Sequence, residues 1–147
     1  MTAQAKVVPD ASVILKWLFK APKEDNTEQA LLLLNEWVDD RINLIVPALW
    51  CFEVGNIIGL KNAGLAGETM ALLLDYQLEE QAMTANICRL IFSIMDQCKV
   101  TFYDAAYHAV ALTHSAILIT ADEAYVGKAS HLGQVMLLKD WKQPFPG

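Results

Sequence analysis

Asp10, Glu53, Asp104 and Asp122 are the side chains of this sequence whose type and setting together point to chemistry. Asp10 directly follows the strand-like run 6–9 that contains Val7 and Val8, and Asp104 and Asp122 follow the runs 100–102 and 117–120, each after one intervening residue. Glu53 falls about two turns into a helical pattern, on a face shared with Leu49, Trp50, Ile57 and Leu60. Taken singly, the three aspartates serve well as N-caps for the helices that follow them. Glu53 has no such explanation, because a buried glutamate without a partner costs several kcal/mol or stays protonated. If the four carboxylates converge to about 5 Å, each pair repels by about 3 kcal/mol at an effective dielectric of about 20. A divalent cation relieves that repulsion, and Mg²⁺ or Mn²⁺ suits carboxylates plus water. No Cys/His constellation competes as a ligand set. A site of this kind activates water and steadies the charge on a phosphoryl group, which is the chemistry of phosphodiester hydrolysis.

The elements that must bring these acids together alternate between two periodicities. Residues 6–9 read as a strand and 12–19 as a helix closed by Pro22. From 24 to 40, Ala30, Leu31, Leu34, Trp37 and Val38 recur at helical spacing. Residues 43–46 form a brief apolar strand ending at Pro47, followed by a helix over 48–62 closed by Gly64 and a further helix from Gly67 to about Glu80. Helices over 87–98 and 104–114 flank the extended run 100–102, and the β-type runs 116–120 and 134–138 flank a short helix over 122–131. Strands alternating with helices imply a mostly parallel sheet with helices on both faces, so the predicted fold class is α/β. In such a sheet the functional crevice lies beyond the carboxyl ends of the strands, where the three aspartates are expected.

Composition limits the alternatives. The chain has 147 residues, enough for one domain, and its 54% hydrophobic and 19% charged residues exclude a disordered or low-complexity protein. A net charge of −6 argues against a broad basic face, so a polyanion must be held locally. Cys51, Cys88 and Cys98 are odd in number and form no C-x-x-C pair, so they read as buried, reduced thiols of a cytoplasmic protein. Asp10 interrupts the first apolar stretch before a signal-peptide core can form. The apolar segment 42–60 contains Asn43, Pro47, Glu53 and Asn56, so no membrane span is expected there.

The runs VVPDASVILKW (7–17), PALWCFEVGNII (47–58), FYDAAYHAVAL (102–112) and LITADEAY (118–125) resemble a PIN-domain ribonuclease, and most closely the VapC-type toxins of toxin-antitoxin pairs. The resemblance spans nearly the whole chain in order. It implies a single three-layer α/β/α domain over 1–147 with a central, mostly parallel sheet, acting as a metal-dependent, single-strand-specific endoribonuclease that leaves a 5′-phosphate. Position by position, the family's four acids fall on Asp10, Glu53, Asp104 and Asp122, as catalytic residues and as ligands of Mg²⁺ or Mn²⁺. Its small hydroxyl residue falls on Ser12, the Thr before the fourth acid on Thr120, and a polar position of the second motif on Asn56, all three as supports of the ligands. Pro9 stands where the family usually has an aliphatic residue. Lacking an N–H, it is expected to cost the last strand pairing a hydrogen bond.

Lys16, Lys20 and Lys23 follow Asp10 and offer a cationic strip for RNA, with Trp17 available for stacking; the plainer reading makes the lysines solvated and Trp17 core. His108 shares a helical face with Asp104 but reads as structural. A mean hydropathy of +0.28 in a small protein suggests surface covered by another chain. The resemblance names the covers: a second copy of the chain as a homodimer, and an antitoxin protein over the active-site groove, with aliphatics among 65–78 as candidates. Two other readings remain: a PIN-like module that binds RNA or protein without cutting, and a receiver-type phosphoacceptor module in which Lys139 supplies a cation. The second lacks the paired acids expected after the first strand.

Overall fold

The computed structural model describes residues 4–18 and 25–142. Val7 and Val8 are both buried, as in a strand covered on its two faces, and they form the middle of β1 (Ala5–Pro9). Around it lie β2 (Ile42–Pro47), β3 (Glu79–Gln81), β4 (Ile117–Thr120) and β5 (Val135–Leu137), all parallel, in the spatial order β3-β2-β1-β4-β5. The helices are α1 (Ala11–Lys16), α2 (Thr27–Val38), α3 (Trp50–Lys61), α4 (Ala66–Asp75), α5 (Ala85–Cys98), α6 (Phe102–His114) and α7 (Glu123–Ala129). The result is the expected three-layer α/β/α arrangement. The strand order reverses between β1 and β4, and a crevice opens beyond the carboxyl ends of the strands at such a switch point.

α6 is the best-buried helix of the fold. Every residue from Ala105 to Ala111 is buried, and four of those seven are alanines, whose small side chains let the helix lie close against β1, β2 and β4. It also packs along α5, whose apolar stripe Ile87, Ile91, Ile94 and Cys98 faces inward.

Pro9 loses less than its sequence position suggests. The neighbouring Asp10 N–H donates to the Ile119 carbonyl at 3.2 Å. N–H groups of successive strand residues point to opposite neighbours, so the donor Pro9 lacks would face β2. The β1–β2 ladder ends two residues earlier, at Val7–Leu44, whereas Pro9 keeps its pairing with Ile119.

Three expectations require correction. The helix read over 67–80 stops at Asp75, and Glu79–Gln81 is β3, a charged edge strand. Charges on an edge protect it from further pairing, and they also hide it from a pattern search for apolar alternation. The run 100–102 is not a strand: Thr101 has extended dihedrals but serves as the N-cap of α6, its hydroxyl accepting the Asp104 N–H at 3.2 Å. Of the cysteines, all free, only Cys98 is buried; Cys51 and Cys88 are partly exposed. Pro22, expected to close the first helix, lies outside the described residues.

Candidate active site

β1 and β4, adjacent at the switch point, are each followed by an acid, Asp10 immediately after Pro9 and Asp122 two residues after Thr120. Asp10 caps α1: its Oδ1 accepts the Val13 N–H at 3.2 Å and the Ser12 hydroxyl. Asp122 caps α7 by accepting the Tyr125 N–H at 3.0 Å. Asp104 arrives differently from the sequence reading, in the first turn of α6 and not at a strand end or as a cap. Glu53 lies in the first turn of α3, one turn nearer the sheet edge than expected, because the helix begins at Trp50. All four carboxylates line one cavity of about 210 Å³, together with Ala11, Ser12, Leu15 and Ile57.

Two hydroxyls join the first acid to the turn carrying the fourth. Ser12 donates to Asp10 and accepts the Ala121 N–H at 3.0 Å. The fully buried Thr120 hydrogen-bonds Asp10 and accepts the Asp122 N–H at 3.0 Å. Two of the three supports inferred from the resemblance, Ser12 and Thr120, thus touch Asp10. Asn56 does not join them: it is exposed and does not line the cavity.

The electrostatics are those of carboxyls drawn out of water, with repulsion among them adding to the effect of burial. Burial pushes the Asp10 carboxyl up to about 6, against the lowering effect of its Ser12, Thr120 and Val13 hydrogen bonds and with a further push from Asp104. Burial, then the charges of Asp104 and Asp10, raise Glu53, opposed by Tyr107. Burial, then Asp122, raises Asp104, opposed by Thr101 and Lys128. Asp104 therefore interacts with each of the other three acids.

The donor set fits a hard divalent cation. Among the described residues no three His, Cys, Asp or Glu side chains stand close enough to grip one ion together. Mg²⁺ is commonly held by only one or two carboxylates, with waters filling its remaining positions. The cavity's side-chain donors, four carboxylates and the Ser12 hydroxyl, are all oxygens, which suits that mode.

The PIN domain family profile matches residues 7–129. The chain belongs to the PIN domain family. Among solved structures, a toxin-antitoxin complex from Klebsiella pneumoniae is similar at 16% identity and a TM-score of 0.67, over 90% of this chain and 97% of that one. FitAcB from Neisseria gonorrhoeae is similar at 17% identity and a TM-score of 0.67, over 92% and 99%. VapC20 from Mycobacterium tuberculosis, a sarcin-ricin loop cleaving toxin, is similar at 14% identity and a TM-score of 0.64, over 88% and 96%. No curated protein matches the chain significantly.

The remaining sequence candidates take these places in this PIN domain. Trp17 is not available for stacking: it is buried, donates its indole N–H to the Ala30 carbonyl at 2.9 Å, and meets Tyr76 edge-on. Lys16 ends α1 and lines neither the acid cavity nor its neighbour described below. Lys20 and Lys23 lie outside the described residues. His108 is structural, as expected. Its Nε2 donates to the Gly133 carbonyl at 2.8 Å, which leaves Nδ1 to accept from the Tyr125 hydroxyl at 2.7 Å, and burial holds its pKa below the usual value. Lys139 pairs with Glu123 at 3.2 Å and does not line the acid cavity, so nothing here favours the receiver reading. No helix among the described residues is long and apolar enough to cross a membrane.

Sequence reasoning missed Tyr107. Its hydroxyl is buried without a partner in strict hydrogen-bond geometry, and the charge that bears on it most is that of Glu53. The signal was its spacing: Tyr107 stands three residues after Asp104, hence on the same side of α6.

Proposed function

We propose that this PIN domain is a Mg²⁺- or Mn²⁺-dependent endoribonuclease specific for single-stranded RNA, and that it is the toxin of a VapBC-type pair acting in the cytoplasm. The observation that carries the reading is the shared cavity: four acids distant in sequence line one small concavity at the switch point of the sheet. In this reading Asp10, Glu53, Asp104 and Asp122 hold the cation directly or through water, Ser12 and Thr120 fix the Asp10 carboxylate, and Asn56 has no part beyond the helix surface. When bound, the cation supplies a lowered water pKa and neutralises charge developing on the phosphoryl group. The carboxylates also orient the attacking water and exclude a second anion until the cation is present.

An antitoxin and a second copy of the chain are proposed as partners. Support comes from exposed apolar side chains on α3 and α4, among them Phe52, Leu60, Leu72 and Leu74, and from toxin-antitoxin complexes among the similar folds. The chain as a whole is read as one PIN-like unit.

The test is to incubate a permissive RNA with the wild type, Asp10→Asn and Asp104→Asn in added Mn²⁺, and to map the ends produced. Cleavage by the wild type and a loss of at least about 100-fold in both variants is expected, as for removal of a group acting in the transition state. Undiminished cleavage by the variants refutes the assignment. A silent binding module is distinguished by Mn²⁺-dependent stabilisation or RNA binding without new RNA ends.

A further inference from the structure

Asp104 and Asp122 line two cavities: the four-acid cavity and a second one of about 350 Å³, lined also by Lys99, Val100, Thr101, Ala124, Tyr125 and Lys128. We infer that this second cavity is a subsite for the phosphate backbone of the RNA strand next to the cleavage point, with Lys99 and Lys128 as its cations. The inference rests on the nuclease reading of the acid cavity, and it assigns the path the substrate takes out of it.

The argument is one of placement and charge. The chain is acidic overall, so a polyanion needs local cations near the acids, and these two lysines line a concavity that shares Asp104 and Asp122 with the candidate centre. They come from separate elements: Lys99 caps the C-terminus of α5 in the left-handed region, at φ 56°, and Lys128 lies in the last turn of α7. Lys99 has a competing partner in Asp96 at 3.7 Å, but both side chains are largely exposed, and a pair of that kind is held weakly enough to yield to a phosphate. Thr101 adds an exposed hydroxyl in the same cavity, and the flexible ammonium groups suit contacts to a backbone without reading bases. The α1 side, which the sequence offers as a possible RNA contact, has Trp17 buried and Lys16 lining neither cavity; this second cavity puts the strand on the α5–α7 side.

The experiment measures binding of a labelled single-stranded oligouridylate to the Asp10→Asn protein, with and without Lys99→Glu and Lys128→Glu together, over a range of salt concentrations. The charge reversals are expected to weaken binding by about tenfold or more and to reduce the salt slope by about 1 for each lysine. In the otherwise wild-type protein, the stabilisation by Mn²⁺ is expected to survive both reversals. Unchanged affinity and slope overturn the subsite while leaving the acid cavity's role intact. Loss of the Mn²⁺ stabilisation on charge reversal overturns it by making the lysines part of the acid cluster's own balance. Unchanged oligouridylate affinity with weakened capture of a polyglutamate peptide overturns it in favour of a protein occupant. Absence of both Mn²⁺ stabilisation and RNA cleavage in the wild type strikes the nuclease reading itself.

Discussion

Ser12 donates its hydroxyl proton to the Asp10 carboxylate, and its oxygen also accepts the Ala121 N–H at 3.0 Å. One small side chain thereby holds the end of β1 against the turn after β4, across the switch point of the sheet. Replacing it by alanine leaves the Ala121 N–H without that acceptor and removes one of the hydrogen bonds that favour ionised Asp10. Ser12→Ala is expected to bind Mn²⁺ and cleave RNA about 10- to 100-fold less well, the usual cost of losing a support of a metal ligand. Cleavage assays and Mn²⁺ titrations by thermal shift check this, and Ser12→Thr should restore part of the loss.

The burial of Asp10, with a smaller push from Asp104, gives stability a pH dependence of unusual sign. Asp10 ionises near pH 3.8 unperturbed and near 6 in the folded protein. Between those values the folded state keeps a proton that the unfolded chain has released, so Asp10 costs the fold stability as pH rises through the window. Asparagine cannot ionise, and Asp10→Asn is therefore expected to gain melting temperature relative to the metal-free wild type as pH rises from about 4 to above 6. His108, with its pKa lowered by burial, contributes with the opposite sign, but it is present in both proteins and drops out of the comparison. Added Mn²⁺ should stabilise the wild type more at neutral pH than in acid, because cation and proton compete for the same oxygens. A constant difference between the two proteins across that range refutes the assignment of the burial effect.

Tyr107 offers a test of Glu53. The buried hydroxyl is next to that carboxylate and has no partner in strict geometry, so Tyr107→Phe removes little that holds the fold together. Unfolding free energy is expected to change by less than about 1 kcal/mol, while Mn²⁺ affinity falls about tenfold. A large stability loss in chemical denaturation with unaltered Mn²⁺ binding would show Tyr107 to be purely a core residue.

His108 should behave in the reverse way. His108→Ala leaves the Tyr125 hydroxyl and the Gly133 carbonyl without their imidazole partners, in a site with no exposed surface on the residue itself. A loss of about 2–4 kcal/mol in denaturant unfolding is expected, with Mn²⁺ binding retained at temperatures where the variant is folded.

Much of the fold was legible from residue pattern. The apolar runs around Val7, Leu44 and Leu118 marked the strands because a parallel strand buried on both faces must be apolar throughout. The alternation of those runs with helical spacing dictated the α/β class, and strand-end acids at Asp10 and Asp122 followed from it. β3 was not legible, since an edge strand of Glu79, Glu80 and Gln81 owes its conformation to backbone pairing with β2 rather than to its side chains. Nor was the setting of Asp104, because Val100 and Thr101 favour extended dihedrals locally and only the packing of α6 decides that no strand pairs with them.

By itself, then, the sequence determined which residues carry charge, which stripes must be buried, and that four acids needed an explanation. Only the tertiary structure decided that Glu53 from α3 and Asp104 from α6 meet Asp10 and Asp122 in one concavity, that Tyr107 backs Glu53, and that Lys99 and Lys128 line the adjoining cavity. Periodicity reports the direction a side chain takes from its own element. Distances between elements depend on how helices and sheet pack, and those are set by contacts among residues far apart in the chain.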